Sequence, residues 1–258
     1  MKINTLSKIS PWLAALAIFT FAPPAQADTY QRCVTLVERD ADAGYDMALD
    51  WEASDLTGGA FHCSGLALVR LGLFDAAAER FERAATQGQG MNDVERATLF
   101  RQSGEAWLLA NQGLEAVNAF THALEYVPQD SALLYGRARA YDTIEQPGEA
   151  LRDLNAAITF DPSRSAPYLL RARLNRQLGQ LPEATRDIET AIALGIDMIP
   201  ARLERGLIRF EQNDDPGALE DWRAVVAADV TPEGKPGFAS LAATRFIAEL
   251  EAKAAENP

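Results

Sequence analysis

The sequence contains few of the side chains that enzymes use. Among its 258 residues are only two histidines and two cysteines. It has no HExxH zinc motif, no GxSxG nucleophile motif and no glycine-rich phosphate loop. The acidic stretch DADAGYDMALD lacks the central glycine and the terminal glutamate that a calcium loop needs at fixed offsets. We therefore predict a protein that is not an enzyme and has neither a metal site nor a cofactor.

Positive charge is also scarce. Lysine and arginine together number 24 against 37 aspartates and glutamates, which gives a formal net charge of −13. Nucleic acids and anionic lipids are bound through clustered lysine and arginine, so this balance argues against both as partners. The alternative meaning of the charge is solubility alone, because a net charge far from zero keeps protein molecules apart.

Long apolar segments are missing, with one short exception near the start. Trp12–Ala22 is apolar, follows Lys2 and Lys8, and precedes the small-x-small sequence that ends at Ala27. This order is typical of a secretory signal peptide over residues 1–27, and cleavage near Ala27 removes two lysines, which takes the net charge from −13 to −15. A membrane anchor is the alternative, but a spanning helix needs about 20 apolar residues. We predict an exported, periplasmic protein that is soluble after cleavage.

The two cysteines, Cys33 and Cys63, both lie in the first quarter of the chain. An even number of cysteines in an oxidising compartment indicates a disulfide, which would contribute about 3–4 kcal/mol through the entropy of the unfolded chain. The alternative is a catalytic thiol pair, but the sequence has no CxxC motif. His62 precedes Cys63 directly, and adjacent side chains on a helix diverge by about 100°. That divergence disfavours a cysteine–histidine nucleophile.

The most informative feature of the sequence is a repeat with a period of about 34 residues, which lies in the range of stacked repeat architectures. Four copies align at 58–91, 97–130, 131–164 and 165–198, and a looser fifth copy covers 199–232. The eighth place holds a small residue, in order Gly65, Gly104, Ala138, Ala172 and Gly206. The twenty-fourth place holds a large apolar residue, in order Phe81, Phe120, Leu154, Ile188 and Trp222. Small residues let helices approach closely and bulky ones fill the gap, so each copy is predicted to form two antiparallel helices.

This pattern resembles the tetratricopeptide repeat family over Gly58–Pro232. The resemblance implies an all-α protein, a right-handed superhelical solenoid of antiparallel helix pairs. The fifth copy departs from the family pattern by having Arg202 at its fourth place, and the fourth copy has Ile196 where proline is usual. Five extra residues follow the first copy, so we expect the next helix to begin early, at Asn92 or Asp93.

The segments at the two ends of the array are predicted to cap it. Residues 28–57 form a degenerate N-terminal helix pair, which a disulfide would tie to the first helix of the first copy. Residues 236–256 form a C-terminal capping helix, because their apolar side chains recur at helical spacing on one face. Such caps cover the open ends of a stack of repeats.

Arginine and aspartate recur at the seventh and twenty-third places of three successive copies. The pairs are Arg137 with Asp153, Arg171 with Asp187, and Arg205 with Asp221. The family resemblance places both members of a pair on facing helices of one repeat, where a guanidinium can donate two parallel hydrogen bonds to a carboxylate. We interpret the pairs as intra-repeat ion pairs that hold the helices together. The alternative is a series of ligand-binding residues.

The resemblance also implies a peptide-binding concave groove lined by the first helix of each repeat. The candidate residues are Arg101, Tyr135, Arg139, Leu169, Arg173, Arg176 and Gln177. Other residues at the same places of the repeats are His62, Arg70, Glu105, Asp142, Leu203, Leu207 and Phe210. Arginines and a tyrosine suit an extended, acidic peptide. The alternative is a solvated face without a ligand. Similar proteins that clamp a C-terminal carboxylate have lysine and asparagine where this chain has Arg101 and Glu105, so that activity is not expected.

Together these features predict a non-catalytic periplasmic scaffold that binds a protein or an extended peptide in the groove. One alternative is an assembly factor in a cell-envelope complex, for cell division or outer-membrane biogenesis, that docks through its convex or end surfaces. A more distant alternative is a thiol-based redox helper, which requires free thiols.

Overall fold

The computed structural model of the protein describes residues 24–54 and 58–256. Within these ranges the chain forms thirteen α-helices and one isolated β-bridge, between Val230 and Pro236. The helices are α1 Pro24–Arg39, α2 Ala41–Ser54, α3 Gly58–Leu71, α4 Phe74–Gln87, α5 Asp93–Leu109, α6 Gly113–Tyr126, α7 Ser131–Thr143, α8 Pro147–Phe160, α9 Ser165–Gln177, α10 Leu181–Ala193, α11 Met198–Glu211, α12 Asp215–Ala228 and α13 Phe238–Glu256. The predicted all-α class is confirmed for the described residues.

The predicted signal peptide falls mostly on residues 1–23, which lie outside the described residues, so it stays a prediction. Residues 24–27 form the first turn of α1. Across 24–54 and 58–256, every helix is too short or too polar to cross a membrane.

The chain divides into two compact units, and the boundary falls between Gln146 and Pro147. The first unit contains α1 to α7, in which α3 packs against α4, α4 against α5, and α5 against α6. The second unit contains α8 to α13, in which α9 packs against α10, α11 against α12, and α12 against α13. Since short turns join the helices of each pair, the paired helices run antiparallel.

The turn inside each repeat contains one residue in the left-handed region of backbone space. These residues are Gly72, Asn111, Glu145, Gly179 and Asn213, with φ between 57° and 78°. All five occupy the fifteenth place of their repeats, so the same backbone conformation recurs in each of these turns. Glycine and asparagine are the residues that adopt this conformation most readily, which explains four of the five.

The close approach of the paired helices depends on the eighth and twenty-fourth places, as the sequence pattern predicts. An ideal Cβ at Gly65 would lie 2.6 Å from the Phe81 ring, and one at Gly104 would lie 2.7 Å from the Phe120 ring. The aromatic rings are fully buried. Any side chain at these glycines would therefore displace the ring that fills the gap between the two helices.

The extra residues after the first copy are accommodated by an early start of α5 at Asp93. Asn92 accepts a hydrogen bond from the Glu95 backbone amide, and the Glu95 carboxylate accepts one from the Asn92 amide, which forms a capping box. One turn further on, the Arg96 guanidinium donates to the carbonyl oxygens of Ala85 and Gly88. Arg96 thereby satisfies the last carbonyl groups of α4 and holds the inserted segment against it.

Candidate functional site

The arginine–aspartate pairs of the second unit have the geometry of bidentate ion pairs. Arg171 donates to Asp187 from Nε at 2.8 Å and from Nη2 at 2.7 Å. Arg205 binds Asp221 in the same way, at 2.9 Å and 2.6 Å. The first helix of each repeat is thus bonded to the second, through carboxylates that are nearly fully buried.

Each of these buried carboxylates accepts a further hydrogen bond from another side chain. Asn175 donates to Asp187 at 3.3 Å, and Arg209 donates to Asp221 at 2.8 Å. Hydrogen bonding to Asp187 raises the pKa of Arg171 above its usual value, so its charge is permanent. The aspartates of these two pairs thus already accept hydrogen bonds from donors of their own chain.

The third predicted pair, Arg137 with Asp153, has its members in different units and stays a prediction. Arg137 donates to the Thr121 hydroxyl at 3.2 Å within the first unit. Asp153 is buried within α8 of the second unit.

In the first unit, the predicted groove residues of α5 and α7 come together and form what we call the α5–α7 face. It consists of Arg101, Glu105, Tyr135 and Arg139. Arg139 Nη1 donates to both carboxylate oxygens of Glu105, at 3.1 Å and 2.8 Å, and its guanidinium lies 5.9 Å from the Tyr135 ring centre. The side chains of Arg139 and Glu105 are 37% and 28% exposed. A positive charge that the sequence assigned to ligand binding is therefore balanced by Glu105.

In the second unit, Arg176 forms ion pairs with residues of a neighbouring helix. Its Nε donates to Glu204 at 2.6 Å and its Nη1 to Glu211 at 2.6 Å, so it joins α9 to α11. Leu169 packs against the apolar cluster that contains Ile188 and Ile208. The remaining predicted groove residues of α9 are Arg173, which is half-buried, and Gln177, which is exposed.

The apolar groove residues of the fifth copy are partly covered. Leu203, Leu207 and Phe210 pack against the cluster that Trp222 forms with α13. The Lys253 ammonium of α13 lies 5.2 Å from the centre of the Phe210 ring. This part of the predicted groove is filled by the chain itself.

His62 also differs from the prediction that it lines the groove. The side chain is buried, and its Nδ1 lies 2.7 Å from the Tyr30 hydroxyl while its Nε2 lies 2.9 Å from the Gln102 amide oxygen. A neutral imidazole with its proton on Nε2 satisfies both contacts, by accepting from Tyr30 and donating to Gln102. The network connects α1, α3 and α5, and burial lowers the pKa of His62 to about 4.

We predict that the buried His62 makes the folded protein less stable as the pH falls. Its folded pKa of about 4 lies below the ordinary value of 6.5, so the unfolded chain binds the proton more readily. The stability is complete above about pH 6.5 and declines towards pH 4, and the loss is about 2 kcal/mol between pH 7 and pH 5. Urea unfolding at both pH values measures this difference.

Two matched variants separate this effect from general acid sensitivity. His62→Gln should reduce the pH dependence by that amount. His122→Gln is the matched control for the removal of an imidazole, because the His122 side chain is 55% exposed and is not part of the buried network. An unaltered pH dependence in His62→Gln would contradict the assignment.

Next to His62, Cys63 forms a disulfide with Cys33, and both residues are fully buried. The bond joins α1 to α3, the position that the sequence predicts. Over the described ranges, histidine, cysteine, aspartate and glutamate side chains do not gather in groups of three or more that could hold a metal ion.

Two carboxylates that connect neighbouring helices were not identified from the sequence. Glu52 of α2 accepts hydrogen bonds from Ser64 at 2.8 Å and from Arg80 at 2.5 Å. Glu82 of α4 accepts from Ser103 and from the Trp107 indole, both at 3.0 Å. Each carboxylate links its own helix to others of the first unit.

A comparison with family models matches residues 108–165 to the tetratricopeptide repeat. No curated protein matches the chain in sequence.

Several solved structures share the fold at low identity. PilW, described as a widely conserved type IV pilus biogenesis factor, has a TM-score of 0.64 and 18% identity, over 80% of this chain and 94% of PilW. MamA from Desulfovibrio magneticus has a TM-score of 0.55 and 16% identity, over 65% of this chain and 95% of MamA. YrrB, described as a repeat protein with an unusual peptide-binding site, has a TM-score of 0.52 and 17% identity, over 71% of this chain and 91% of YrrB.

Proposed function

We propose that the chain is a non-catalytic scaffold that binds an extended peptide or a protein on the α5–α7 face, because residues 108–165 match the tetratricopeptide repeat and the fold is similar to that of PilW. The observation that carries the proposal is the arrangement of Tyr135, Arg139 and Glu105 on two adjacent first helices. These side chains are half-buried and held in place by one another. A preorganised polar surface with an aromatic ring is the kind of site that binds a peptide at low entropic cost.

The chemistry of the face defines what it would bind. The Arg139–Glu105 pair offers both a donor and an acceptor to the backbone of an extended peptide. Arg101, on the same helix as Glu105, supplies a guanidinium that suits a carboxylate of the ligand. The expected ligand is therefore an extended peptide with one acidic group opposite Arg101, rather than a strongly acidic peptide, because Glu105 balances Arg139.

A periplasmic location is part of the proposal. Residues 1–27 have the sequence pattern of a signal peptide, and a buried disulfide is typical of proteins that fold in an oxidising compartment.

The binding proposal is tested with peptides selected from a random displayed library on the purified protein. The affinity of each selected peptide is then measured by fluorescence anisotropy. Arg101→Glu and Tyr135→Ala are expected to weaken binding at least about tenfold, the loss of one well-placed contact. Arg186→Glu is the control, because Arg186 is 71% exposed on α10 and is not one of the residues of the α5–α7 face. Equal affinities for all variants, or no selected peptide, would overturn the proposal.

An assembly role in a cell-envelope complex, such as cell division or outer-membrane biogenesis, is the second candidate. PilW has a similar fold and is described as a pilus biogenesis factor, but 18% identity supports likeness of fold only. Photo-crosslinkers at position 101 and at the 72% exposed position 152 would separate the two candidates in cells. Adducts at position 152 alone would favour the assembly role.

A further inference from the structure

The final described helix, α13, has apolar side chains on two faces. One face belongs to the core: Ala243 and Leu250 are buried, and the Phe246 ring lies 5.3 Å from that of Trp222. On the other face, Phe238 is 91% exposed and Leu241 is 59% exposed. Phe238 is the most exposed large apolar side chain of the described residues. Phe238 and Leu241 lie about one turn apart and form an exposed apolar patch, and apolar patches, unlike single exposed residues, mark contact surfaces.

The first turn of α13 is held firmly in place, so Phe238 points outward from a fixed backbone. Asp229 accepts hydrogen bonds from the Ser240 amide through its carboxylate and from the Gly237 amide through its carbonyl, both at 2.8 Å. The bridge between Val230 and Pro236 closes the preceding loop. The backbone that carries the exposed aromatic ring is therefore preorganised, which lowers the cost of binding through this turn.

The exposed residues of α13 form a stripe with heptad spacing, which we call the α13 stripe. Its members are Phe238, Leu241, Arg245, Ala248 and Ala252, all exposed. Steps of three and four residues along a helix place side chains on one face, as in helices that pack side by side. Large side chains occupy the first part of the stripe and alanines the last part.

We propose that the α13 stripe is the contact surface for a second copy of this chain, with the two α13 helices antiparallel. When a two-fold axis passes through Arg245, Phe238 of each copy lies opposite Ala252 of the other, and Leu241 lies close to Ala248. Large apolar side chains then meet alanines on both sides of the axis. An isologous interface requires this kind of self-complementary surface.

The charges of the stripe are self-complementary in the same arrangement. Arg245 Nε lies 2.7 Å from Glu249 Oε1, one turn towards the C-terminus, and both side chains are exposed. In the antiparallel pair, Glu249 of the second copy lies one turn to the other side of Arg245. Each guanidinium is thus flanked by two carboxylates, which offsets the approach of the two arginines at the axis.

The size of the stripe sets the strength of the contact. A helix of 19 residues is roughly 28 Å long. Two such helices bury an area near or below about 1,200 Å², the lower end of stable protein interfaces. The dimer is therefore weak and its population depends on concentration.

Sedimentation velocity of the purified protein over a concentration series tests the dimer. The wild type should shift from monomer to dimer as its concentration rises. Phe238→Glu combined with Leu241→Glu should raise the dimer dissociation constant at least about tenfold, since both changes place charge in the contact. Leu114→Glu is the matched control, because Leu114 on α6 is 58% exposed and lies outside the stripe.

Charge reversal provides a second readout that loss of folding cannot imitate. Arg245→Glu alone should weaken the dimer, and Arg245→Glu with Glu249→Arg should restore it. A wild type that remains monomeric at every concentration overturns the proposal. A dimer that is insensitive to the Phe238 and Leu241 changes, or Phe238-dependent binding of a different protein by monomeric chains, overturns it as well.

Discussion

Phe120→Ala is expected to lower the free energy of unfolding by about 3–5 kcal/mol, the cost of truncating a fully buried phenylalanine. Phe120 is fully buried and lies between two helix backbones, at Gly104 of α5 and Gly136 of α7. Those helices meet through the ring, and the glycines have no side chain that could move into the space. The cavity would therefore remain open, which places the cost at the upper part of the range.

Urea unfolding followed by far-ultraviolet circular dichroism measures this loss. Phe160→Ala is the matched control, because Phe160 ends α8 with 45% of its surface exposed. It should cost no more than about 1 kcal/mol, since little apolar area is uncovered. Equal losses for the two phenylalanines would show that the ring of Phe120 does not hold the helices together.

Removal of the Cys33–Cys63 disulfide is expected to cost about 3–4 kcal/mol, because the bond closes a 30-residue loop in the unfolded chain. The loss should appear first as unfolding of α1 and α2, which the bond connects to α3. Hydrogen exchange of the Cys33→Ala, Cys63→Ala variant would show faster exchange in these helices than in α9 to α12. The two cysteines of the sequence are bonded to each other, so the oxidised protein should contain no thiol that reacts with a water-soluble reagent.

The double variant also supplies the control for reducing conditions. A reductant should destabilise the wild type to the level of the variant and leave the variant unchanged. If the variant is as stable as the oxidised wild type, the bond contributes nothing to the fold. A reactive thiol in the oxidised protein would instead revive the redox-helper alternative.

The fold could be predicted because the same residue types recur at the same places. Gly104 and Phe120 occupy the eighth and twenty-fourth places of the second copy, and the same combination returns as Gly65 with Phe81 and Gly206 with Trp222. When residue types recur at the same places in each copy, they predict the contacts between the helices of one repeat. The Arg171–Asp187 and Arg205–Asp221 ion pairs were accessible to the same reasoning.

The candidate site was less accessible, because its contacts run between repeats. Glu105 and Arg139 are 34 residues apart and occupy the same place in consecutive copies, where they become neighbours on adjacent helices. Opposite charges at one place of successive repeats are a signal that could have revealed the pair. Arg176 has no such signal, since its partners Glu204 and Glu211 lie 28 and 35 residues away.

The resemblance predicts that His62 lines the groove, because its place in the repeat faces the concave side in the family. The structure buries it, because Tyr30 of α1 stacks on its ring at 5.7 Å and bonds to it. The helix pair before the first copy has no repeat pattern, so its packing could not be inferred from the periodicity.

One of the five left-handed turn positions has a residue type that does not favour this conformation. Glu145, with φ of 57°, is the only one of the five that is neither glycine nor asparagine. A residue with a β-carbon costs roughly 1 kcal/mol in this conformation. Glu145 therefore slightly destabilises the last turn of the first unit. Glu145 is therefore the first position to change in a variant designed for higher folding stability.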